Sequence, residues 1–243
     1  MREARYLVAL SGAGLSAGSG IPTYRGPGGL WTQHGAPPLL SYQEFANDPA
    51  AWWVKRLAAE EDPSHPVYRM KQAVDAAGPN SGHLALAELE RQGILRCVIT
   101  QNVDNLHAEA GSQSLLEIHG NRTRLRCLEC GLRFLRDGYD LSGAPPLCRE
   151  CGGVVKLDTV MFGEAIPSDV LQACREAAER CDCMLLVGTS GTVNPAARLP
   201  LVAKENGATL IEVNPEATPL TPWCDSTLTG PADAILPELL RSI

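Results

Sequence analysis

Short apolar runs ending in glycine or small polar residues recur along the chain, with helix-period patterns between them. RYLVAL (5–10) is the first such run, and it enters the glycine-rich stretch SGAGLSAGSG. The same form returns at LRCVIT (95–100), CMLLVGT (183–189) and ATLIEVN (208–214). Each has the length and composition of a buried strand. SGHLALAELERQG places Leu84, Leu86 and Leu89 near one face, with Ser81 as the expected N-cap and Gly93 as the stop. SDVLQACREAAER opens with Ser168 and Asp169, which suit a helix N-terminus. AARLPLVAKENG ends in Asn206-Gly207, and ADAILPELLRSI follows as a further helix. Strands alternating with helices predict an α/β fold, a doubly wound parallel sheet covered on both faces.

Two stretches break this rhythm. Residues 36–80 hold prolines, aromatic residues and a charged helical pattern but no convincing strand, and residues 123–155 carry two cysteine pairs. Both read as insertions that together form a smaller lobe. The main lobe then comprises residues 1–35, 81–122 and 156–243.

The totals narrow the function classes. The chain has 243 residues, 44% hydrophobic and 20% charged, with a net charge of −7. That charge gives no broad footprint for nucleic acid. Arg122, Arg124, Arg126, Arg133 and Arg136 cluster locally, which suits a solvated face beside a metal site. No apolar run approaches the roughly 18 residues of a membrane span, and the first residues do not form a secretory signal. Nine cysteines are too few and too scattered for a disulfide scaffold, so a reducing cytoplasm is expected.

Cys127-x-x-Cys130 and Cys148-x-x-Cys151 stand 17 residues apart. Each pair supplies two thiolates, and the loop between them folds back to complete a tetrahedral zinc site. The segment between is polar and glycine-rich, so its folding depends on the metal. Four thiolates saturate one zinc ion, which leaves nearby His119 free for other work.

Gly12-x-Gly14-x-x-Ala17 follows the first run and fits the dinucleotide fingerprint, with alanine at the third position. Gly12 permits a tight turn, and Gly14 permits a pyrophosphate to approach the backbone. A helix starting near Leu15 would then aim its amides at that pyrophosphate. Packing alone also accounts for a glycine-rich strand end, and no acidic residue lies about 20 positions on to hold an adenosine ribose. VGTSG (187–191) adds small hydroxyl-bearing residues at another strand end.

Several segments now stand in one order: GAGLSAGSGIPTYRG (12–26), TQNVDNLH (100–107), EIHGN (117–121), the two cysteine pairs, VMFGE (160–164), VGTSGTVNPAA (187–197) and EVNPE (212–216). In these the sequence resembles the sirtuins, NAD-dependent protein-lysine deacylases. The resemblance implies a Rossmann-like NAD-binding lobe, a zinc-bearing small lobe, and a cleft where NAD meets an acyl-lysine protein or peptide. It implies that His119 is the general base, taking a proton from the ribose hydroxyl that receives the acyl group, so that nicotinamide, O-acyl-ADP-ribose and free lysine result. An imidazole with a pKa near 6.5 suits that task.

The resemblance further assigns Asn102, with Gln101 and Asp104, to the nicotinamide ribose and a nearby water, with capping of the next helix as the bland alternative. Ala13, Ser16, Ile21, Thr23, Tyr24 and Arg25 fall on the loop that closes over NAD. Most sirtuins carry Asp-Phe-Arg at the last three of these positions, so Thr23 loses a carboxylate. Gly188, Thr189, Ser190, Asn214, Pro215, Glu216 and Ala232 fall on the adenosine side. Val160, Met161, Phe162, Gly163 and Glu164 should run extended and pair with the substrate peptide as an added strand. Val160 and Phe162 would wall the acyl-lysine tunnel. Tyr68-x-x-Lys71 stands where desuccinylase-type members carry Tyr-x-x-Arg, which leaves succinyl and malonyl beside acetyl. An ADP-ribosyltransferase using the same NAD site, and a non-catalytic NAD and zinc module, are the rival readings.

Overall fold

The computed structural model describes residues 1, 3–24, 29, 32, 35 and 40–243. From the start of the chain, β1 (Leu7–Ser11) leads through the glycine-rich turn into α1 (Ala13–Ser16). Three helices follow, α2 (Ser41–Asn47), α3 (Pro49–Glu61) and α4 (Pro66–Ala76). Next come α5 (Ser81–Arg91), β2 (Leu95–Thr100), α6 (Leu106–Glu109) and β3 (Leu115–Glu117). The cysteine region carries β4 (Arg124–Cys127), β5 (Arg133–Leu135) and β6 (Val155–Leu157). The chain then continues through α7 (Ser168–Arg180), β7 (Cys183–Val187), α8 (Leu199–Glu205), β8 (Thr209–Asn214), β9 (Ser226–Thr229) and α9 (Ala232–Ser242).

Six strands form one parallel sheet in the order β3-β2-β1-β7-β8-β9. Every residue of β1 and β7 is buried, as the uninterrupted apolar runs require of strands covered on both faces. Side chains alternate between the two faces. Val8, Leu10, Ile99, Met184 and Leu186 pack on one side against Cys174 and Ala178 of α7 and Leu199 and Ala203 of α8. Leu7, Ala9, Val98, Leu185 and Val187 pack on the other against Leu86 and Leu89 of α5 and Leu236 of α9. Cys97, Cys174 and Cys181 belong to the first of these cores, where burial pushes their thiols up to about 11 or 12. They act as small apolar packing groups. The connection reverses direction between β1 and β7, so the sheet has its switch point at the ends of those two strands.

A second, smaller core joins segments of both insertions and runs past residue 155 to Leu157 of β6. β5-β4-β6 is an antiparallel sheet, and its Leu125, Val155 and Leu157 pack against Phe45 of α2 and Trp53 of α3. Trp53 donates its indole N–H to Val155 O at 2.9 Å, and Glu60 of α3 pairs with Arg136 beyond β5. Distant parts of the chain thus share one core.

Three local expectations change. The N-cap of α5 is Asn80, whose side chain accepts from the amides of Gly82 and His83; Ser81 instead donates its hydroxyl to Asp233 O at 2.6 Å. Leu84 points to solvent, whereas Leu86 and Leu89 are buried as expected. The helix expected near Leu15 is a single α-turn from Ala13, continued by a 3-10 turn to Ser19. It stops at Gly20, whose φ of +84° suits a residue without Cβ.

Candidate active site at the sheet switch point

The ends of β1 and β7 touch main chain to main chain. Gly12 donates its amide to Val187 O at 2.9 Å and Gly14 donates to Gly188 O at 2.8 Å. A Cβ on Gly14 would stand 2.7 Å from Gly188 Cα, and one on Gly188, at φ +56°, would stand 2.6 Å from Gly14 C. Glycine at 14 and 188 is therefore a steric requirement of the contact. The amides of Gly14 and Leu15, expected to face a pyrophosphate, are engaged within the turn by Gly188 O and Gly12 O. Anion binding here thus has fewer free amides than the fingerprint suggests. Ser16 is buried, Ala17 opens the 3-10 turn, and Ile21 packs with Val74 and Leu106. Thr23 and Tyr24 continue the loop, Tyr24 being exposed, and Arg25 lies outside the described residues.

A polar network lies against this turn. Ser16 donates its hydroxyl to Asp104 Oδ2 at 2.7 Å, and Asn102 Nδ2 donates to Ser16 Oγ at 3.0 Å and to Gly12 O at 3.1 Å. Asp104 Oδ1 also accepts from the Leu106 amide at 3.0 Å, so it holds the first amide of α6 as well as facing the turn. Gln101 Nε2 donates to Thr189 Oγ1 at 2.8 Å, which ties the end of β2 to the end of β7. Beneath them, His107 Nε2 meets Ser11 Oγ at 2.8 Å, and the rings of His83 and His107 lie edge to face at 5.1 Å. Burial pushes His83 down to about 4 and His107 down to about 3, so both rings are neutral near pH 7.

His119 follows β3 and reaches back to the end of β2, its Nδ1 lying 3.1 Å from Gln101 O. A carbonyl only accepts, so Nδ1 carries the proton and Nε2 the lone pair. Burial also lowers the pKa of His119, against a smaller upward effect of that hydrogen bond. The ring is a neutral base with a fixed tautomer.

Among the described residues, one group of side chains could hold a metal ion, and it consists of Cys127, Cys130, Cys148 and Cys151. Their sulfurs all lie within 4.8 Å of one another; Cys127 and Cys151 are 3.5 Å apart, Cys130 and Cys148 3.8 Å. A tetrahedral zinc with bonds of about 2.3 Å separates its sulfurs by about 3.8 Å, whereas a disulfide needs about 2.05 Å. The donor set therefore fits zinc, and His119 stands apart from it, as the cysteine count implied.

The 160–164 segment differs from its expected form. Val160 and Met161 lie outside any strand, with Val160 N donating to His119 O at 2.9 Å, and Phe162–Gly163 make a turn in which Gly163 has φ +82°. Glu164 N donates to Met161 O at 3.0 Å, and Glu164 Oε2 accepts from Met161 N at 2.8 Å. Phe162 O accepts from Tyr42 N. Much of the backbone that was to pair with a peptide is already paired. The carboxylate of Glu164 is buried against Arg126 and Lys156, so it braces the segment from behind. Tyr68 and Lys71 lie on α4, and Lys71 Nζ pairs with Asp75 at 2.8 Å, which also holds Arg122 at 2.5 Å.

On the other side of the switch point, Thr189 is buried, Ser190 is exposed, and Asn214 Nδ2 donates to Thr189 O at 2.8 Å. Pro215 and Glu216 are exposed beyond β8. Ala232, 2% exposed at the start of α9, packs in the core with Leu15 and Leu236. Sequence reasoning passed over His83, His107 and Ser11. His107 stands in the quoted segment TQNVDNLH, but an isolated histidine gives no sign of its partner 96 residues away.

Residues 12–195 match the family model described as Sir2 family. NAD-dependent protein deacylase 1 of Archaeoglobus fulgidus is 43% identical over 246 residues, covering 99% of this chain and 94% of the relative. NAD-dependent protein deacylase 2 of Pyrobaculum aerophilum is 43% identical over 244 residues, covering 100% and 93%. A solved structure described as a Sir2 homolog–NAD complex superposes with a TM-score of 0.80 at 44% identity, covering 99% of this chain and 90% of that one. Another, described as Sir2–p53 peptide–NAD+, superposes with a TM-score of 0.78 at 32% identity, covering 99% and 94%.

Proposed function

The chain belongs to the Sir2 family, and from that premise we propose that its switch-point cleft removes acyl groups from protein lysines at the expense of NAD, with His119 as the base. Gly12–Ala17, Gln101–Asp104, Gly188–Ser190 and Asn214–Glu216 would hold the dinucleotide. NAD bound there would supply an electrophilic ribose carbon, a nicotinamide leaving group and ribose hydroxyls to receive the acyl group.

The observation that carries the reading is the fixed tautomer of His119. With Nδ1–H held by Gln101 O at 3.1 Å, Nε2 is left to accept a proton from a hydroxyl at the end of β2. Ser16 orients Asn102 and Asp104 together, so the polar groups of the turn are fixed before any ligand arrives. Val160 N donates to His119 O, which supports a reading in which residues 160–162 wall the acyl-lysine beside the base. The four cysteines hold zinc in a structural role, because sulfur fills all four positions and leaves none for a substrate.

Short uncharged acyl groups are favoured, acetyl first. Lys71 is already paired with Asp75, which Arg122 also holds, so a succinyl or malonyl carboxylate would compete with Asp75 for it. Lysine also lacks the bidentate fork of arginine. The test incubates the protein with NAD and acetyl-, succinyl- or malonyl-lysine peptides and follows nicotinamide and O-acyl-ADP-ribose by mass spectrometry. Acetyl peptide should turn over fastest, and His119→Ala should lower kcat by at least about 100-fold. The rate should fall on the acid side through a pKa below 6.5, because burial favours the neutral ring. ADP-ribose reaching protein with no peptide product would overturn the reading.

A further inference from the structure

Strand β6 holds Lys156 between Val155 and Leu157, and all three are buried. Val155 and Leu157 enter the small-lobe core, so the lysine points to the opposite side of the strand. Its side chain has 0% exposure. A buried ammonium is costly unless each of its donors is matched. Here three donors meet three acceptors: Leu157 O at 2.6 Å, Thr159 O at 2.8 Å and Glu164 Oε2 at 3.1 Å. The same Glu164 oxygen accepts from Met161 N at 2.8 Å, and the other pairs with Arg126. Asp158, between the two lysine-bound carbonyls, is held by Arg126 and Arg133 at 3.2 Å each.

These bonds fasten the main chain at 157 and 159 and, through Glu164, at 161. Leucine or methionine at 156 would fill the space without fixing any of those atoms. What the charge adds is a defined position for the segment that runs from the zinc-bearing sheet to Val160–Phe162. We propose that Lys156 is a positioning residue for the acyl-lysine substrate, setting the Val160–Phe162 wall of the tunnel through Leu157 O, Thr159 O and Glu164. This rests on the deacylase reading of the cleft and adds to it a group that touches neither NAD nor the acyl chain.

Lys156→Met removes the charge and keeps the length. In zinc-loaded protein, the KM for an acetyl-lysine peptide should rise about tenfold while the Kd for NAD stays within about twofold. Glu164→Gln keeps shape and loses charge, and it should move the same two constants in the same way if Lys156→Met does not fold. The double variant Lys156→Met/Glu164→Gln should be no worse than either single one, since all act through one set of bonds. An unchanged peptide KM in the variants, beside a normally active parent, would overturn this inference alone. So would a peptide KM and an NAD Kd that worsen together, since that marks general loosening. A parent that turns over no acyl peptide would overturn the deacylase reading, and this inference with it.

Discussion

The buried histidine pair makes the fold sensitive to acid in a way that can be calculated. His83 is 0% exposed and His107 2%. Their pKa values are about 4 and about 3 when folded, against about 6.5 in an unfolded chain. Both shifts are downward and favour the neutral form in the folded state. Their stabilising effect is therefore complete above pH 6.5 and is lost as pH falls from there toward the folded values. At pH 5.0 the unfolded chain binds about two more protons than the folded one at these sites. That corresponds to about 2 kcal/mol per histidine, about 4 kcal/mol together, relative to pH 7.5. Set against a typical total of about 5–15 kcal/mol, the loss is large. Urea unfolding of zinc-loaded protein at pH 7.5, 6.0 and 5.0, followed by tryptophan fluorescence, measures it. Carboxylates add their own acid dependence, so the decisive comparison is with His83→Asn and His107→Asn. Each variant should be less stable at pH 7.5 yet lose about 2 kcal/mol less than the parent on going to pH 5.0. Parallel stability–pH curves for parent and both variants would refute the reasoning.

Gly188→Ala should weaken NAD binding by at least about tenfold, because the added methyl forces apart the ends of β1 and β7; Gly207→Ala, with nothing within 4 Å and a similar φ, supplies the control for backbone strain alone. Calorimetric titration of both variants with NAD checks this. Cys130→Ser or a strong chelator should release zinc, lower the melting temperature by several degrees and raise the peptide KM, since the segment proposed to wall the acyl-lysine leads directly out of β6. Metal analysis with peptide kinetics on the same samples would read all three effects.

The parts of the fold legible in the sequence were those where one local pattern decides the outcome. β1 and β7 are buried on both faces and therefore show as unbroken apolar runs. The four-cysteine zinc site follows from two spacings. β9 was missed because Ser-Thr-Leu-Thr at an exposed sheet edge has no apolar signature. β4 and β5 alternate with arginines whose partners, Glu117, Glu164 and Asp158, lie elsewhere in the chain. The turn at Phe162–Gly163 has no local signature because its cause lies elsewhere: Glu164 is drawn inward by Arg126 and Lys156. Asn80 and Ser81 are both competent caps, and only the docking of α9, which places Asp233 O beside Ser81, separates them. Of the candidate site, the network of Ser16, Asn102 and Asp104 was legible as residues but not as bonds.

Where Gly14 meets Gly188, the proposed dinucleotide site rests on peptide backbone, with no side chain between the two strands. Substitution cannot resculpt a surface that has no side chains to exchange. Divergence in this chain's chemistry has its room instead in α4 and the 157–164 segment, which carry side chains of several kinds. An engineer seeking a new acyl preference should leave the glycines alone and begin there.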